Sequence, residues 1–362
     1  MIHEIKVGLN YFKQSVKTVL IETSGKLPKF EHLFWEVTDA CNSHCKNCNI
    51  WRRKVSKDIL TLDEVKKIFS SGFFREVKDV IISGGEPILL PDLEEKLSIM
   101  NENIAHGALV SLSTNGLLPD KVIKVTKNCL KNGMNIIVGV SLDGVGEHHD
   151  FIRGVKGNFE KVNYLLKELL KLKKDEEYKK NIDITVGYTF SPLTFNYFNE
   201  VQEYSKSLGI HFLPQMYEQF SYYSNTESET TYNESVMKAI NDIPDGFQKE
   251  VIKKCVKRKP LTYRCSSMKN FFVLHCNGDI SPCLRFAHIR AGNIRNDNIN
   301  EIWNTEKVKE ARIYVKNCKG CSNTWATGWS IQYWMPSFLG MLCKIVVKKE
   351  IARLKKNPKF KE

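Results

Sequence analysis

Between about residues 32 and 213, two kinds of apolar pattern take turns along the chain. Short β-branched or aromatic runs bounded by turn residues predict strands at 33–37, 79–83, 109–113, 135–142, 182–190 and 210–213. Between them, apolar residues at helical spacing predict helices near 61–71, 91–103, 120–131, 158–173 and 194–207. Thr61 followed by Asp63 and Glu64 reads as a capped helix start. Phe159, Val162, Leu165, Leu166, Leu169 and Leu170 form one apolar helix face. Strand–helix alternation gives a parallel sheet, because each right-handed crossover brings the next strand back in the same direction. Six such units curl into a barrel that stops short of closing, and ligands in such folds bind at the C-terminal strand ends.

The flanks read differently. Residues 1–29 are basic and amphipathic, with Ile5, Val7, Leu9, Phe12, Val16, Val19 and Leu20 among lysines, and are expected to pack outside the barrel. Residues 30–215 make the barrel domain. Residues 216–262 break the alternation: 217–232 reads as an exposed loop or lid, and 248–259 as a basic helical connector. Residues 263–324 form a small cysteine-bearing α+β domain with a hairpin turning at Asn277-Gly278. Residues 325–362 form an aromatic and basic tail. Ser337 would cap a helix there that carries Phe338, Met341, Leu342, Ile345 and Val346 before a lysine cluster.

The chain has 362 residues, 42% hydrophobic and 26% charged, with a formal charge of +13. This is the composition of a globular protein with a sizeable core. The charge invites an anionic partner, yet no basic stripe interleaved with aromatics supports nucleic acid, so nucleic acid is not expected. The basic tail allows peripheral contact with an anionic membrane, although a helix docked on the protein is the preferred reading. No secretory signal is visible, which places the protein in the cytoplasm, with the membrane periphery as the variant. Eleven cysteines, clustered at short spacings, point to metal binding in a reducing compartment rather than disulfides.

The first cluster is Cys41-Asn-Ser-His-Cys45-Lys-Asn-Cys48, directly after the first predicted strand. Three thiolates from one loop suit a cubane iron–sulfur cluster with one iron left open. A structural zinc site wants four ligands, and His44 or a distant residue would have to complete it. Gly84-Gly85-Glu86-Pro87 follows the second strand, Ser113-Thr114-Asn115-Gly116 the third, and Ser141 closes the fourth, with His148, His149 and Arg153 soon after. All would face one cavity. Turn chemistry alone could explain Ser113–Asn115, a surface ion pair Arg153, and exposed loop positions the two histidines.

With that spacing and order, the chain resembles the radical S-adenosylmethionine (SAM) superfamily. The resemblance implies that Cys41, Cys45 and Cys48 hold a [4Fe-4S] cluster whose open iron is chelated by SAM. Electron transfer then yields a 5′-deoxyadenosyl radical that abstracts hydrogen from substrate. Gly84, Gly85, Glu86 and Pro87 resemble the GGEP motif, with Glu86 as acceptor for the SAM ammonium group. Ser113, Asn115 and Ser141 would contact the methionyl or ribose parts, and Arg153 the carboxylate. The residue before the third cysteine is usually aromatic in this family; here it is Asn47, with Trp51 as a substitute for adenine support.

Cys265, Gly278 and Cys283 resemble the opening of the SPASM extension, and Cys318-Lys-Gly-Cys321 its C-x2-C. Thr327 and Ile331 stand where later cysteines would fall, so one auxiliary iron–sulfur cluster is implied, as in the shortened twitch form. A four-cysteine zinc site is the alternative. Cys276 is a spare, and Cys129, Cys255 and Cys343 read as structural. The expected fold is α/β: a partial (β/α)6 TIM-like barrel with a small twitch/SPASM-like domain. The expected function is radical SAM catalysis, with a reductant such as flavodoxin or ferredoxin as partner. Without a leader-binding domain in view, a metabolite, sugar or lipid-linked substrate is favoured over a peptide. A zinc-stabilised nucleic-acid-binding protein and a two-cluster electron carrier are the readings from other classes.

Overall fold

The structure is a computed structural model that describes residues 30–225, 240–241, 249, 252–254, 257, 264–318 and 323–331. Strands β1 (His32–Thr38), β2 (Asp79–Gly84), β3 (Leu109–Thr114), β4 (Asn135–Ser141), β5 (Ile182–Phe190) and β6 (His211–Met216) pair in parallel, each with the next. Helices α1 (Leu62–Phe69), α2 (Leu93–Asn103), α3 (Pro119–Lys131), α4 (Glu147–Arg153), α5 (Asn158–Lys174) and α6 (Phe198–Ser207) fall between them. This is the expected partial barrel. Thr61 accepts from the Glu64 amide and Glu64 returns the bond, the capping box that fixes the start of α1.

Alternation along the strands sets two faces. Trp35 meets Phe69 of α1 and is in register with Ile82, which continues to Leu112 and Val138; all are buried on the helix side. The neighbouring positions Glu36, Ser83, Ser113, Gly139 and Thr185 therefore line the inner face, which is polar and, apart from buried Glu36, half-buried. Apolar residues are spent on the packed layer, leaving the lumen available for polar chemistry.

The hairpin around Asn277-Gly278 is present, as β7 (Phe271–Leu274) and β8 (Asp279–Ser281), followed by β9 (Gly292–Asn293). Its first strand does more than local pattern predicts: β7 pairs in parallel with β1, His32 opposite Phe271 and Trp35 opposite Leu274. The sheet is thus continuous over nine strands in the order β6-β5-β4-β3-β2-β1-β7-β8-β9. An aromatic cluster of Phe30, Phe73, Phe74, Phe272 and Trp303 backs this junction.

Two compact units emerge. Residues 29–232 and 267–315 make the first, which holds the whole sheet together with α7 (Ile299–Ile302) and most of α8 (Glu306–Lys316). Residues 1–28, 233–266 and 316–362 make the second. Its described part includes α9 (Thr324–Ile331), where Ser330 accepts from the Ser266 amide at 3.0 Å and Trp325 packs edge-on to Trp329. The expected N-terminal amphipathic segment and the tail helix from Ser337 lie outside the described residues. Residues 217–225, expected as exposed loop, instead bury Phe220, Tyr222 and Asn225 against their surroundings.

Candidate functional site

Two glycines seat the cysteine loop. A Cβ on Gly84 would stand 2.0 Å from the Thr38 carbonyl oxygen, and one on Gly85 2.2 Å from that of Ala40. The Gly85 and Glu86 amides donate to those same carbonyls, at 2.8 and 2.7 Å. The loop after β2 is thus zipped to the chain that leads into Cys41, and only glycine permits the approach. On its other side the loop rests on α4, with His44 N bonded to Arg153 O at 3.0 Å and Lys46 N to Ile152 O at 2.9 Å.

Cys41, Cys45 and Cys48 are all half-buried. Burial pushes the Cys41 thiol up to about 11 and the Cys48 thiol up to about 12. A metal centre would have to displace protons from both. Among the described residues no group of three His, Cys, Asp or Glu side chains is placed to hold a single metal ion. Ser43 Oγ and Cys45 Sγ are 3.1 Å apart, and Arg153 Nη1 donates to Cys45 Sγ at 3.6 Å.

A closed polar ring ties the strand-end loops together. Arg153 Nη2 pairs with Asp143 at 2.9 Å. The Asp143 amide donates to His149 Nδ1 at 3.1 Å, so Nε2 carries the proton and donates to Asn158 Oδ1 at 3.1 Å. Asn158 donates to Asn115 O, and Asn115 Nδ2 donates to Asn42 Oδ1 at 2.8 Å, back in the cysteine loop. Asp143 also accepts from the Thr189 amide at 2.7 Å, which adds β5. Burial works against the Arg153 charge, but Asp143 and Cys45 more than offset it and hold its pKa above the ordinary value. His149, fully buried, is pushed down to about 3 by burial and stays neutral.

Arg153, by sequence as readily a surface residue as a site residue, has its side chain only 11% exposed. His148 and His149 read from sequence as exposed loop residues. His148 is exposed, stacked on Tyr197, whereas His149 is interior, on the inward side of α4, a helix that short apolar content had not announced. Glu86, expected to accept from the SAM ammonium group, is buried. Its carboxylate is 1% exposed and accepts from Thr114 Oγ1 at 2.8 Å and the Asn115 amide at 2.7 Å. In this arrangement Glu86 positions the β3 loop, and burial pushes its pKa up to about 7. Ser113 and Ser141 are half-buried at the ends of β3 and β4, and Pro87 opens a 3-10 turn.

Orphaned donors beside the loop fit a bound SAM. Among the described residues, Arg153 Nε, Asn47 Nδ2 and Trp51 Nε1 are buried and find no hydrogen-bond partner, and native proteins seldom leave such groups unpaired. The guanidinium edge suits a carboxylate, and the amide and indole suit a polar nucleoside.

On the inner face a pocket of about 310 Å³ opens at the end of β1, lined by Glu36, Asp39, Arg53, Tyr222, His275 and His288 among others. Glu36 pairs with His275 Nδ1, and His275 Nε2 lies 2.7 Å from Ser281 Oγ. Burial and then the Glu36 charge hold the Tyr222 phenol well above its ordinary value. Cys276, the spare thiol, is in this wall and is pushed up to about 12 by burial. No sequence pattern pointed to this pocket, because it depends on β7 lying beside β1.

Of the second cysteine set, Cys283 belongs to the first unit, and Cys265 and Cys318 to the second; Cys321 lies outside the described residues. Among the described residues no helix is long and apolar enough to cross a membrane.

Three thiols thus lie on the loop after the first strand of a parallel partial barrel. The family model of the radical SAM superfamily matches residues 35–195, and that of an iron–sulfur cluster-binding domain, SPASM, matches residues 265–322. The chain belongs to the radical SAM superfamily, and its cofactors are a [4Fe-4S] cluster, SAM and an auxiliary iron–sulfur centre. It is 27% identical to an AdoMet-dependent heme synthase of Methanosarcina barkeri (strain Fusaro / DSM 804), over 79% of this chain and 89% of that one. It is 30% identical to the antilisterial bacteriocin subtilosin biosynthesis protein of Bacillus subtilis (strain 168), over 41% of this chain but only 32% of that protein. The fold matches Streptococcus suis SuiB bound to S-adenosylmethionine with a TM-score of 0.62 at 15% identity, covering 88% of this chain and 79% of that one.

Proposed function

We propose that the protein cleaves SAM reductively at a cluster held by Cys41, Cys45 and Cys48 and abstracts hydrogen from a small-molecule substrate. The observation that supports this reading best is the closed ring through Arg153, Asp143, His149, Asn158, Asn115 and Asn42, which fixes the cysteine loop against the connections after β3 and β4. When bound, the cluster and SAM supply the one-electron C–S cleavage that produces the 5′-deoxyadenosyl radical. The chain's own residues then bind, orient and exclude water. Arg153 anchors the SAM carboxylate through its spare edge. Asn47 and Trp51 face the nucleoside. Glu86 keeps the Ser113–Asn115 loop in place, and Ser141 closes the ribose side. Substrate occupies the polar lumen that ends in the Glu36–His275 pocket.

Cys265, Cys283, Cys318 and Cys321 would hold the auxiliary centre, which would carry an electron away from an oxidised substrate. One relative matched over most of both lengths is a heme synthase, which supports a metabolite substrate, and another, matched over 78% of this chain and 67% of that one, is a sporulation killing factor maturation protein, which supports a peptide. Peptide maturation is the competing reading, supported by the subtilosin biosynthesis protein among the relatives.

Anaerobic reconstitution with iron, sulfide, SAM and a chemical reductant tests the proposal. Wild type should turn brown and form 5′-deoxyadenosine; Cys45→Ala should keep only the auxiliary centre's share of the iron and form no 5′-deoxyadenosine. Zinc in that seat after oxygen-free purification would overturn the reading. Transfer of deuterium into 5′-deoxyadenosine from labelled porphyrins or labelled peptides would then separate the two substrate classes.

A further inference from the structure

Each candidate thiol has an anchor of its own in the surrounding chain. The residue before Cys41 is zipped to the β2 loop, and the residues either side of Cys45 hang on α4. The third anchor is a strap, residues 220–225, that follows β6. Asn47 and Asn49 flank Cys48, and the strap holds both. Asn225 Nδ2 donates to Asn47 O at 3.3 Å, across 178 positions of sequence. The Asn49 amide donates to Tyr223 O at 2.8 Å, and Asn49 Nδ2 donates to Ser224 O at 2.9 Å. Further on, Arg53 Nε donates to Ser224 Oγ at 3.1 Å.

The strap is built around Asn225, which is 5% exposed. Its Oδ1 accepts from the Phe220 amide at 3.0 Å, and the second hydrogen of Nδ2 goes to Glu218 O at 3.1 Å. Both amide hydrogens and the carbonyl oxygen are thus in use, a set that only a carboxamide of this length supplies. Ser224 is held at a φ of 50°, a left-handed conformation that only Met268 shares among the described non-glycine residues. Such backbone persists where its surroundings over-determine it, and it clusters at functional sites. Burial of Phe220 and Tyr222 would by itself explain a packed loop. It does not call for bonds to both neighbours of a candidate ligand. Resting on the radical SAM reading above, we propose that Asn225 is a positioning residue for that chemistry: through Asn47 and the strap it sets where Cys48 stands, and with it the iron that this thiolate holds and the affinity for SAM. Removing an outer partner that orients a metal ligand commonly costs about 10–100-fold in metal affinity or activity.

The test compares Asn225→Asp and Asn49→Ala with wild type as full-length, anaerobically reconstituted enzyme. Asn225→Asp keeps the acceptor for Phe220 and loses the donor to Asn47, whereas Asn49→Ala loses only its side-chain bond to Ser224. SAM affinity is read from the change that SAM makes in the electron paramagnetic resonance spectrum of the reduced cluster. Asn225→Asp should weaken it roughly tenfold or more, and Asn49→Ala by less. Thr126→Ala removes a buried hydroxyl that bonds Val122 O within α3, so it lowers stability without a path to Cys48 and should keep wild-type affinity. In the iron-free chain, trypsin should cut after Arg52, Arg53 and Lys54 faster in Asn225→Asp than in wild type, a readout that needs no cluster. Wild-type SAM affinity in Asn225→Asp would overturn the proposal, whatever the rate of cutting. So would an equal loss in Thr126→Ala, which would reduce Asn225 to a contributor to stability. If Asn225→Asp does not fold, wild-type affinity in Asn49→Ala overturns it instead. In each case SAM cleavage by wild type would leave the radical SAM reading standing; a wild type that does not cleave SAM would sink that reading and the proposal that rests on it.

Discussion

Arg153 Nη2 and Asp143 Oδ2 form an ion pair 2.9 Å long with side chains 11% and 2% exposed, and the same guanidinium reaches Cys45 Sγ. Removing the carboxylate would leave a buried cation without its main partner. Asp143→Ala is therefore expected to cost about 3–5 kcal/mol in urea unfolding. Asp143→Asn should cost less, because the amide still accepts from Thr189. Both should lower iron uptake by loosening the cysteine loop, measured as iron per chain after reconstitution.

Gly85→Ala tests the zipper between the β2 loop and Ala40. The added methyl would stand 2.2 Å from a backbone oxygen, which cannot yield as a side-chain tip would. The variant should either fail to accumulate or fold with the cysteine loop displaced, losing that loop's share of the iron and of the absorbance at roughly 400 nm and keeping only the auxiliary centre's. Gly187→Ala, where the nearest atom is 3.9 Å away, should keep the centre. Intact cluster assembly in Gly85→Ala would refute the account of that turn.

Two buried groups make opposite contributions to the pH dependence of stability. His149 is lowered from 6.5 to about 3 by burial, so the unfolded chain binds the extra proton between those values and stability falls as pH drops. Glu86 is raised from 4.5 to about 7 by burial, so the native state binds the extra proton and stability falls as pH rises through that window. Between about pH 4.5 and 6.5 the two slopes, each up to about 1.4 kcal/mol per pH unit, largely cancel. His149→Gln should leave a protein that weakens from pH 5 towards 7, and Glu86→Gln one that weakens from pH 6.5 towards 4. Urea midpoints measured across that range would show it; parallel profiles for the two variants would contradict it.

Glu36 and His275 couple β1 to the segment after β7. Both side chains are at most 7% exposed. A double-mutant cycle with Glu36→Gln and His275→Gln should return a coupling energy of about 1–3 kcal/mol. A value near zero would mean that the pair adds nothing to the junction.

The barrel was legible because its strands and helices differ in period. Leu33 to Val37 and Phe159 to Leu170 carry enough apolar residues to give away both type and face. The cysteine loop was legible because spacing along the chain equals spacing in space when three ligands share one loop. What could not be read were relations between distant segments. Nothing near Phe271 says that its strand lies against His32, and so the pocket of Glu36, Tyr222 and His275 was invisible. His149 was misjudged because four polar residues, Glu147 to Asp150, hide a helix with one inward edge. Glu86 was placed correctly in its motif, but its partners Thr114 and Asn115 are a tertiary fact.

The pairing of β7 with β1 also has a bearing on how the protein is made. Glu36 and His275 are 239 positions apart, so a ribosome must release just over three-quarters of the chain before β1 gains its second neighbour. Until then the strand that feeds the cysteine loop is a bare edge, open to association with other nascent chains. Iron delivery during synthesis would meet an unfinished seat; maturation is better timed after translation ends, when the late strand has clasped the early one.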